Sequence, residues 1–281
     1  MPADTIIPLL ILIGLLISLY GSIVGFGGGI FMVPILVSVF GYDLDVAAGT
    51  AMISLVPSSI ISTILNRKKG QVDFKVGFLL EAPTMVGVVL GSLILSYFSA
   101  TGNLLVLEIV FALMILILGA SFFMSKKQER NSKDGFFYKL NKQKPAFVFK
   151  NELNFVAYRV SLYMALFFGL VSGALAGLFG VGGGFMKTPI MLKVFEIPAK
   201  IAAGTALFMI VITSITGSVM HTMQGHILFE KSWPVVLGFT LGAIIGFKVN
   251  THLKEDFLEK LIGVSLVTAA LMMILKFIVI G

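Results

Sequence analysis

Eight stretches of close to twenty residues dominate the chain, each rich in apolar side chains: Thr5–Val24, Val46–Leu65, Val76–Phe98, Leu104–Met124, Tyr158–Leu178, Ile201–Met220, Ser232–Val249 and Phe257–Ile280. About 20 helical residues cross a ~30 Å hydrocarbon layer. Within that layer every backbone N–H and C=O needs a partner inside the protein, which leaves helices or a closed barrel. Barrel strands alternate apolar with polar residues, and these stretches do not. With 57% hydrophobic and 12% charged residues, the chain has about half the charge density of a soluble domain. The expected fold is all-α, a polytopic transmembrane helical bundle. The first stretch is expected to be mature structure, because it has no basic n-region and no A-x-A site. Its counterpart also recurs in mid-chain, at Tyr158–Leu178.

Two strings break the apolar pattern: GFGGGIFMVPIL from Gly25 to Leu36, and GVGGGFMKTPIM from Gly180 to Met191. Glycine costs helix stability and proline removes a backbone donor, so neither string is ordinary filler. They lie 155 residues apart, and the same offset pairs Pro34 with Pro189, Phe40 with Phe195 and Gly70 with Gly225. It also superposes AAGTA at Ala47–Ala51 on AAGTA at Ala202–Ala206, and Gly87 and Gly91 on Gly242 and Gly246. The chain is therefore an internal duplication. Residues 1–124 form the first transmembrane repeat, 125–157 a basic loop, and 158–281 the second repeat. The glycine series at Gly87/Gly91 and Gly238/Gly242/Gly246 let helices approach closely. Packing within the chain is the simpler use for them, and a homodimer face the other.

Charge sets an orientation. Eight Lys/Arg against Glu129 and Asp134 lie between Lys126 and Lys150, which accounts for most of the net +7. A basic loop between spans is cytoplasmic by the positive-inside rule, and so is Arg67-Lys68-Lys69. Nucleic-acid binding is not expected, since no binding fold is recognisable. Each glycine string precedes a short apolar segment, Ile30–Phe40 or Phe185–Phe195, of eleven residues. As helix that is about 16 Å, half a bilayer. If the short segment merely re-enters, the halves are parallel, with Lys200, Lys254 and Lys260 outside. If it counts as a crossing, each half has an odd number and the second is inverted. That places Lys193, Lys200, Lys254 and Lys260 on the cytoplasmic side, so inverted repeats with discontinuous half-helices are expected.

A helix start carries unpaired N–H groups and about half a positive charge. Two half-helices starting near the midplane from opposite sides would converge on one point suited to a small anion. Gly27, Gly28, Gly29 and Ile30, with Gly182, Gly183, Gly184 and Phe185, are the candidate binding residues. Lys187, in the first turn after the second string, either complements the anion or snorkels to an interface; its counterpart is Met32. Thr50 and Thr205 inside the repeated AAGTA are further candidates, although threonine hydroxyls commonly bond back to their own helix. No Gly-Lys-Ser/Thr follows the glycines, so neither string is a Walker A loop. His221 and His226, opposite Asn66 and Gln71, read as surface histidines, and Glu81 and Glu108 as solvated carboxylates near span edges. Cysteine is absent, which removes disulfides and thiol chemistry. The histidines lack metal spacing. No metal and no cofactor is expected.

At these residues the sequence resembles the TauE/SafE family of sulfite and organosulfur anion exporters, over nearly the whole chain. The resemblance implies transport of sulfite or related sulfur-containing anions across the bacterial inner membrane. The expected activity is secondary transport by alternating access, with the anion and the bilayer as partners. For a dianion leaving the cell, an inside-negative potential contributes about 2.3 kcal/mol per charge per 100 mV, so uniport is open. An anion channel, or a carrier of another small carboxylate or oxyanion, is the alternative. An intramembrane enzyme would need paired carboxylates, a Ser/His couple or a metal cluster within the spans, and the sequence offers none.

Overall fold

The computed structural model describes residues 3–102, 144–151 and 156–250, with scattered positions in 105–117, at 141 and in 253–268. Most of the stretches Leu104–Met124 and Phe257–Ile280, most of the basic loop, and Glu108 lie outside the described residues. The first half contributes α1 (Ala3–Val24), α2 (Gly29–Ser38), α3 (Leu44–Arg67) and α4 (Phe74–Thr101). A two-stranded antiparallel hairpin follows, β1 (Ala146–Asn151) and β2 (Val156–Ser161). The second half contributes α5 (Leu162–Phe179), α6 (Gly184–Lys193), α7 (Ala199–Met223) and α8 (Phe229–Asn250). Among the described residues, six helices are long and apolar enough to cross a membrane, and α2 is a shorter apolar one.

The helices meet across the halves. Positions 155 apart make matching contacts: a Cβ on Gly87 would lie 2.2 Å from the Leu170 carbonyl oxygen, and one on Gly242 2.2 Å from that of Leu15. Gly14, Leu15 and Leu19 of α1 meet Gly238, Gly242 and Gly246 of α8 in rising order, so these two helices run parallel. The pair α4 and α5 repeats this arrangement, with Pro83 on Gly169 and Gly91 on Ala174. Both glycine series thus serve packing inside the chain, letting one backbone seat directly on another. Ser18, opposite Gly173, instead donates a 2.7 Å hydrogen bond to the Phe239 carbonyl.

At the centre, α3 and α7 cross antiparallel. Gly49 near the start of α3 backs onto His226 just past α7, and Gly204 near the start of α7 backs onto Gln71 just past α3. The short helices double back on the long ones before them. The Tyr20 ring of α1 meets Phe31 of α2 edge-on at 5.7 Å, and Leu16 shares a groove with Ile35.

Both short helices end in the same way. Tyr42 N–H donates to the Leu36 carbonyl over Gly41 (φ 67°), and Ile197 N–H to the Met191 carbonyl over Glu196 (φ 54°). This closure needs a left-handed residue, which glycine adopts without cost. The second half uses an exposed glutamate there.

The hairpin was not expected from the sequence. Tyr158–Ser161 belong to β2, so the first span of the second half begins at Leu162, four residues later than its apolar run. The Tyr158 hydroxyl donates to the Asp73 carboxylate, which also caps α4 by accepting from Lys75 N–H (3.0 Å) and Val76 N–H (3.2 Å).

One stability change follows from the helix ends. Glu196→Gly is expected to raise stability by about 1 kcal/mol, the left-handed penalty of an L-residue less the added freedom of the unfolded chain. Thermal unfolding in detergent would register this as a higher midpoint, and a lower midpoint would contradict it.

Candidate functional site

The first glycine string breaks its helix at the backbone. The amides of Gly25, Phe26 and Gly27 all donate to the single carbonyl of Gly21, at 2.9, 2.9 and 3.1 Å. Gly28 (φ 107°) then starts α2 and Gly183 (φ 71°) starts α6, neither with a side-chain cap. Positive φ of this kind is glycine's region. Each start therefore presents first-turn N–H groups and a partial positive charge.

The two strings touch. A Cβ on Gly29 would fall 2.8 Å from Val181 Cα, and one on Gly184 2.9 Å from both the Gly25 carbonyl oxygen and Phe26 Cα. Gly27 and Gly182 face the same two side chains, Leu55 of α3 and Ile210 of α7. These two residues stand at the α3/α7 crossing and close the space between the strings. Thr188 ties the halves together by donating to the Gly25 carbonyl at 3.1 Å. Ile30 and Phe185 are fully buried in the same core. All eight candidates around the glycines are thus gathered in one place.

Thr50 and Thr205 lie elsewhere. Five helical residues separate Thr50 from Leu55 and Thr205 from Ile210, about 7 Å along helices that run in opposite senses. Thr50 Oγ1 is 3.0 Å from Ser232 Oγ at the start of α8, and Thr205 Oγ1 accepts from Asp73 N–H (2.9 Å) at the start of α4. Thr50 thus joins the first half to the start of α8, and Thr205 the second half to the start of α4. Their repetition reflects this shared joint.

Lys187 does not snorkel. It is 3% exposed, and its Cε is the side-chain atom nearest the Cβ position of Gly183. Its Nζ donates to Glu81 Oε2 at 2.8 Å and to Thr213 Oγ1, and the Thr213 hydroxyl donates to Glu81 Oε1. The three groups form a closed ring, with Glu81 from α4 of the first half and the other two from the second. Glu81, expected as a solvated carboxylate, is 1% exposed. It sits about ten ångströms into α4 from Phe74, counting 1.5 Å per residue. Among the described residues these are the only buried members of the Asp, Glu, Lys and Arg set. The counterparts of Lys187, Glu81 and Thr213 are Met32, Val236 and Ser58, so the ring exists once.

The histidines correct the sequence reading as well. His221 is fully buried and His226 nearly so, with their Nδ1 atoms 3.2 Å apart. His226 Nε2 lies 3.9 Å from Asp45, whose Oδ2 also accepts from Ser99 Oγ at 2.7 Å. The close seating of Gly49 on the His226 backbone buries them, and nothing local in the sequence signals it. Burial pushes the His226 imidazole below its ordinary value, against the opposing pull of Asp45. No group of three metal-ligating side chains occurs among the described residues.

A two-part bundle with six helices long and apolar enough to cross a membrane, two interrupted helices and, among the described residues, one buried ion pair is that of a multi-pass membrane protein. The chain belongs to the sulfite exporter TauE/SafE family, whose model matches residues 10–273. It is 28% identical over 271 residues to the probable membrane transporter protein YunE of Bacillus subtilis, covering 92% of this chain and 94% of that one. It is also 28% identical over 289 residues to the probable membrane transporter protein MJ0441 of Methanocaldococcus jannaschii, covering 96% of each. A sulfite exporter TauE/SafE family protein of Arabidopsis thaliana is 30% identical over 89 residues, 30% of this chain and 21% of that one. No solved structure matches.

Two experiments probe this region. Lys187→Met leaves Glu81 buried without its cation and is expected to cost about 3–5 kcal/mol, whereas the Lys187→Met/Glu81→Val pair, which copies Met32 and Val236, should recover most of that loss. Unfolding in detergent checks both, and a double variant as weak as the single one would contradict the ion-pair reading. For His226, the folded value lies below the unfolded value of about 6.5, so the unfolded chain takes up the proton first. Its contribution is constant above that pH and turns destabilising as pH falls through the window beneath it. His226→Gln, the residue of the other half, should flatten this part of the melting profile, and an unchanged acid limb would contradict it.

Proposed function

We propose that the chain is a secondary transporter, working as an exporter, of small sulfur-containing anions such as sulfite across the bacterial inner membrane. The observation that carries this reading is the meeting of two uncapped half-helix starts beside the buried Lys187. Backbone N–H groups at helix starts bind oxyanions without a full counter-charge, and glycine gives the ligand access to them. Family membership adds the substrate class, and the name of the Arabidopsis relative agrees with it.

The halves are taken as inverted repeats, related by an axis in the membrane plane through the crossing of Leu55 and Ile210. Antiparallel α3 and α7, and α1 parallel to α8, are the packing such a relation requires. The Arg67-Lys68-Lys69 end and the central basic loop then face the cytoplasm. Asp43, Asp45 and Lys231 face outward. Rocking of the α1–α8 pair against the α4–α5 pair about the glycine contact would open the site to each side in turn. The plug formed by Leu55 and Ile210 favours a carrier over an open channel.

Purified protein in liposomes should exchange internal for external sulfite with saturable kinetics. Gly183→Ala, which puts a Cβ 3.1 Å from the Ser172 carbonyl and 3.2 Å from Lys187 Cε, should cut that flux by tenfold or more while the protein stays folded and monodisperse. Undiminished flux in this variant, or sustained anion current without saturation, would contradict the proposal.

A further inference from the structure

We infer that Glu81 is the coupling group of this transporter: it occupies the anion's place on Lys187 and gives way when it takes up a proton, so a monovalent anion travels with one proton. The inference rests on the transport reading above and adds to it the ion that moves with the substrate. Sequence alone left uniport open. The ring of Lys187, Glu81 and Thr213 changes that.

Charge counting carries the idea. The start of α6 is positive, Lys187 adds a full positive charge in its first turn, and the Glu81 carboxylate lies 2.8 Å from that ammonium. A carboxylate is itself a small oxyanion, held where the substrate oxyanion is expected. The formal side-chain charges of the empty site therefore cancel, with Lys187 positive and Glu81 negative. An anion entering with Glu81 still ionised would set two negative groups against one ammonium, with only the partial charge of the helix starts to offset the second. With a proton on a Glu81 oxygen, Lys187 keeps its own proton and pairs with the anion, and the formal charges again cancel. Release reverses both steps: the anion leaves, the proton leaves Glu81, and the ion pair re-forms. No bond other than the O–H of Glu81 is made or broken.

The surroundings suit an exchange of partners. Thr213 accepts from Lys187 and donates to Glu81, and its hydroxyl can turn to serve either group after the pair opens. Lys187 reaches the ring from α6 and Thr213 from α7. From α5, Phe168, Gly169 and Ser172 line the small cavity beside Lys187, and none of them titrates. Among the described residues Lys187 is the charged group that faces Glu81. The cavity holds about 10 Å³, roughly one water, so an oxyanion reaches Lys187 only by taking the place that Glu81 holds on its ammonium. Glu81 also joins the two halves, since it comes from α4 while Lys187 and Thr213 come from the second half.

The test uses the full chain in liposomes, with methanesulfonate as a monovalent probe whose own charge does not change with pH, and sulfite alongside it. Wild type should move protons with methanesulfonate in equal number, and its affinity by calorimetry should rise about tenfold per unit fall in pH above the point where Glu81 titrates. Glu81→Gln should abolish both the proton movement and the pH response of whatever anion flux and binding it retains. Proton movement that persists in Glu81→Gln overturns the inference. So does wild-type methanesulfonate binding that is independent of pH, a measurement that stands even if the variant proves inert. Anion flux without protons in wild type overturns the coupling and leaves the transport reading intact. Absence of flux for both anions overturns the transport reading and this inference with it.

Discussion

Two helices stop in the middle of an apolar bundle, and they stop against each other. A hydrocarbon environment forbids exposed backbone amides, so an interrupted helix must be shielded by protein at its break. Here each break shields the other: Gly29 lies on Val181, Gly184 on Gly25 and Phe26, and Gly27 and Gly182 share Leu55 and Ile210. At Gly29 and Gly184 a Cβ would fall within 3.0 Å of the other string's backbone. The swapped packing of α1 on α8 and of α4 on α5, and the central crossing of α3 and α7, hold the two strings at this distance. The polar chemistry of the site is what remains once this packing is satisfied.

The arrangement is symmetric in its backbone and asymmetric in its charge. Matching glycine contacts recur at a constant offset, and so do the helix-end closures over Gly41 and Glu196. The Lys187, Glu81 and Thr213 ring breaks that symmetry, with Met32, Val236 and Ser58 in the corresponding places. Duplication supplied the interrupted helix twice, whereas the buried ion pair is present once among the described residues.

The bundle, the duplication and the half-helices were legible in the sequence because they are written in local signals: twenty-residue apolar runs, a constant offset, and glycines ahead of eleven-residue segments. The glycines were read as exposing backbone amides to a ligand, with close helix packing as the other reading, and close backbone approach is what their contacts show. What stayed hidden depends on partners far apart in the chain. Glu81 reads as an edge carboxylate until α6 brings Lys187 to it from 106 positions away. His221 and His226 read as surface groups because the burial comes from the start of α3. The one available signal for the ring was that Lys187 and Glu81 are acid and base within apolar segments, each without a charged counterpart in the other half. Of the hairpin, β2 hid at the start of an apolar run that continues into α5, and β1 within the basic loop.

The central claim is that the paired helix starts, with Lys187, hold the transported anion. An anomalous difference map from crystals of the protein with selenite, the heavier analogue of sulfite, would test it directly. The account places one strong peak against the Gly182–Gly184 amides and the Lys187 ammonium, with Glu81 turned away from it. A selenium peak elsewhere in the bundle, with the Lys187 and Glu81 pair intact, would contradict it.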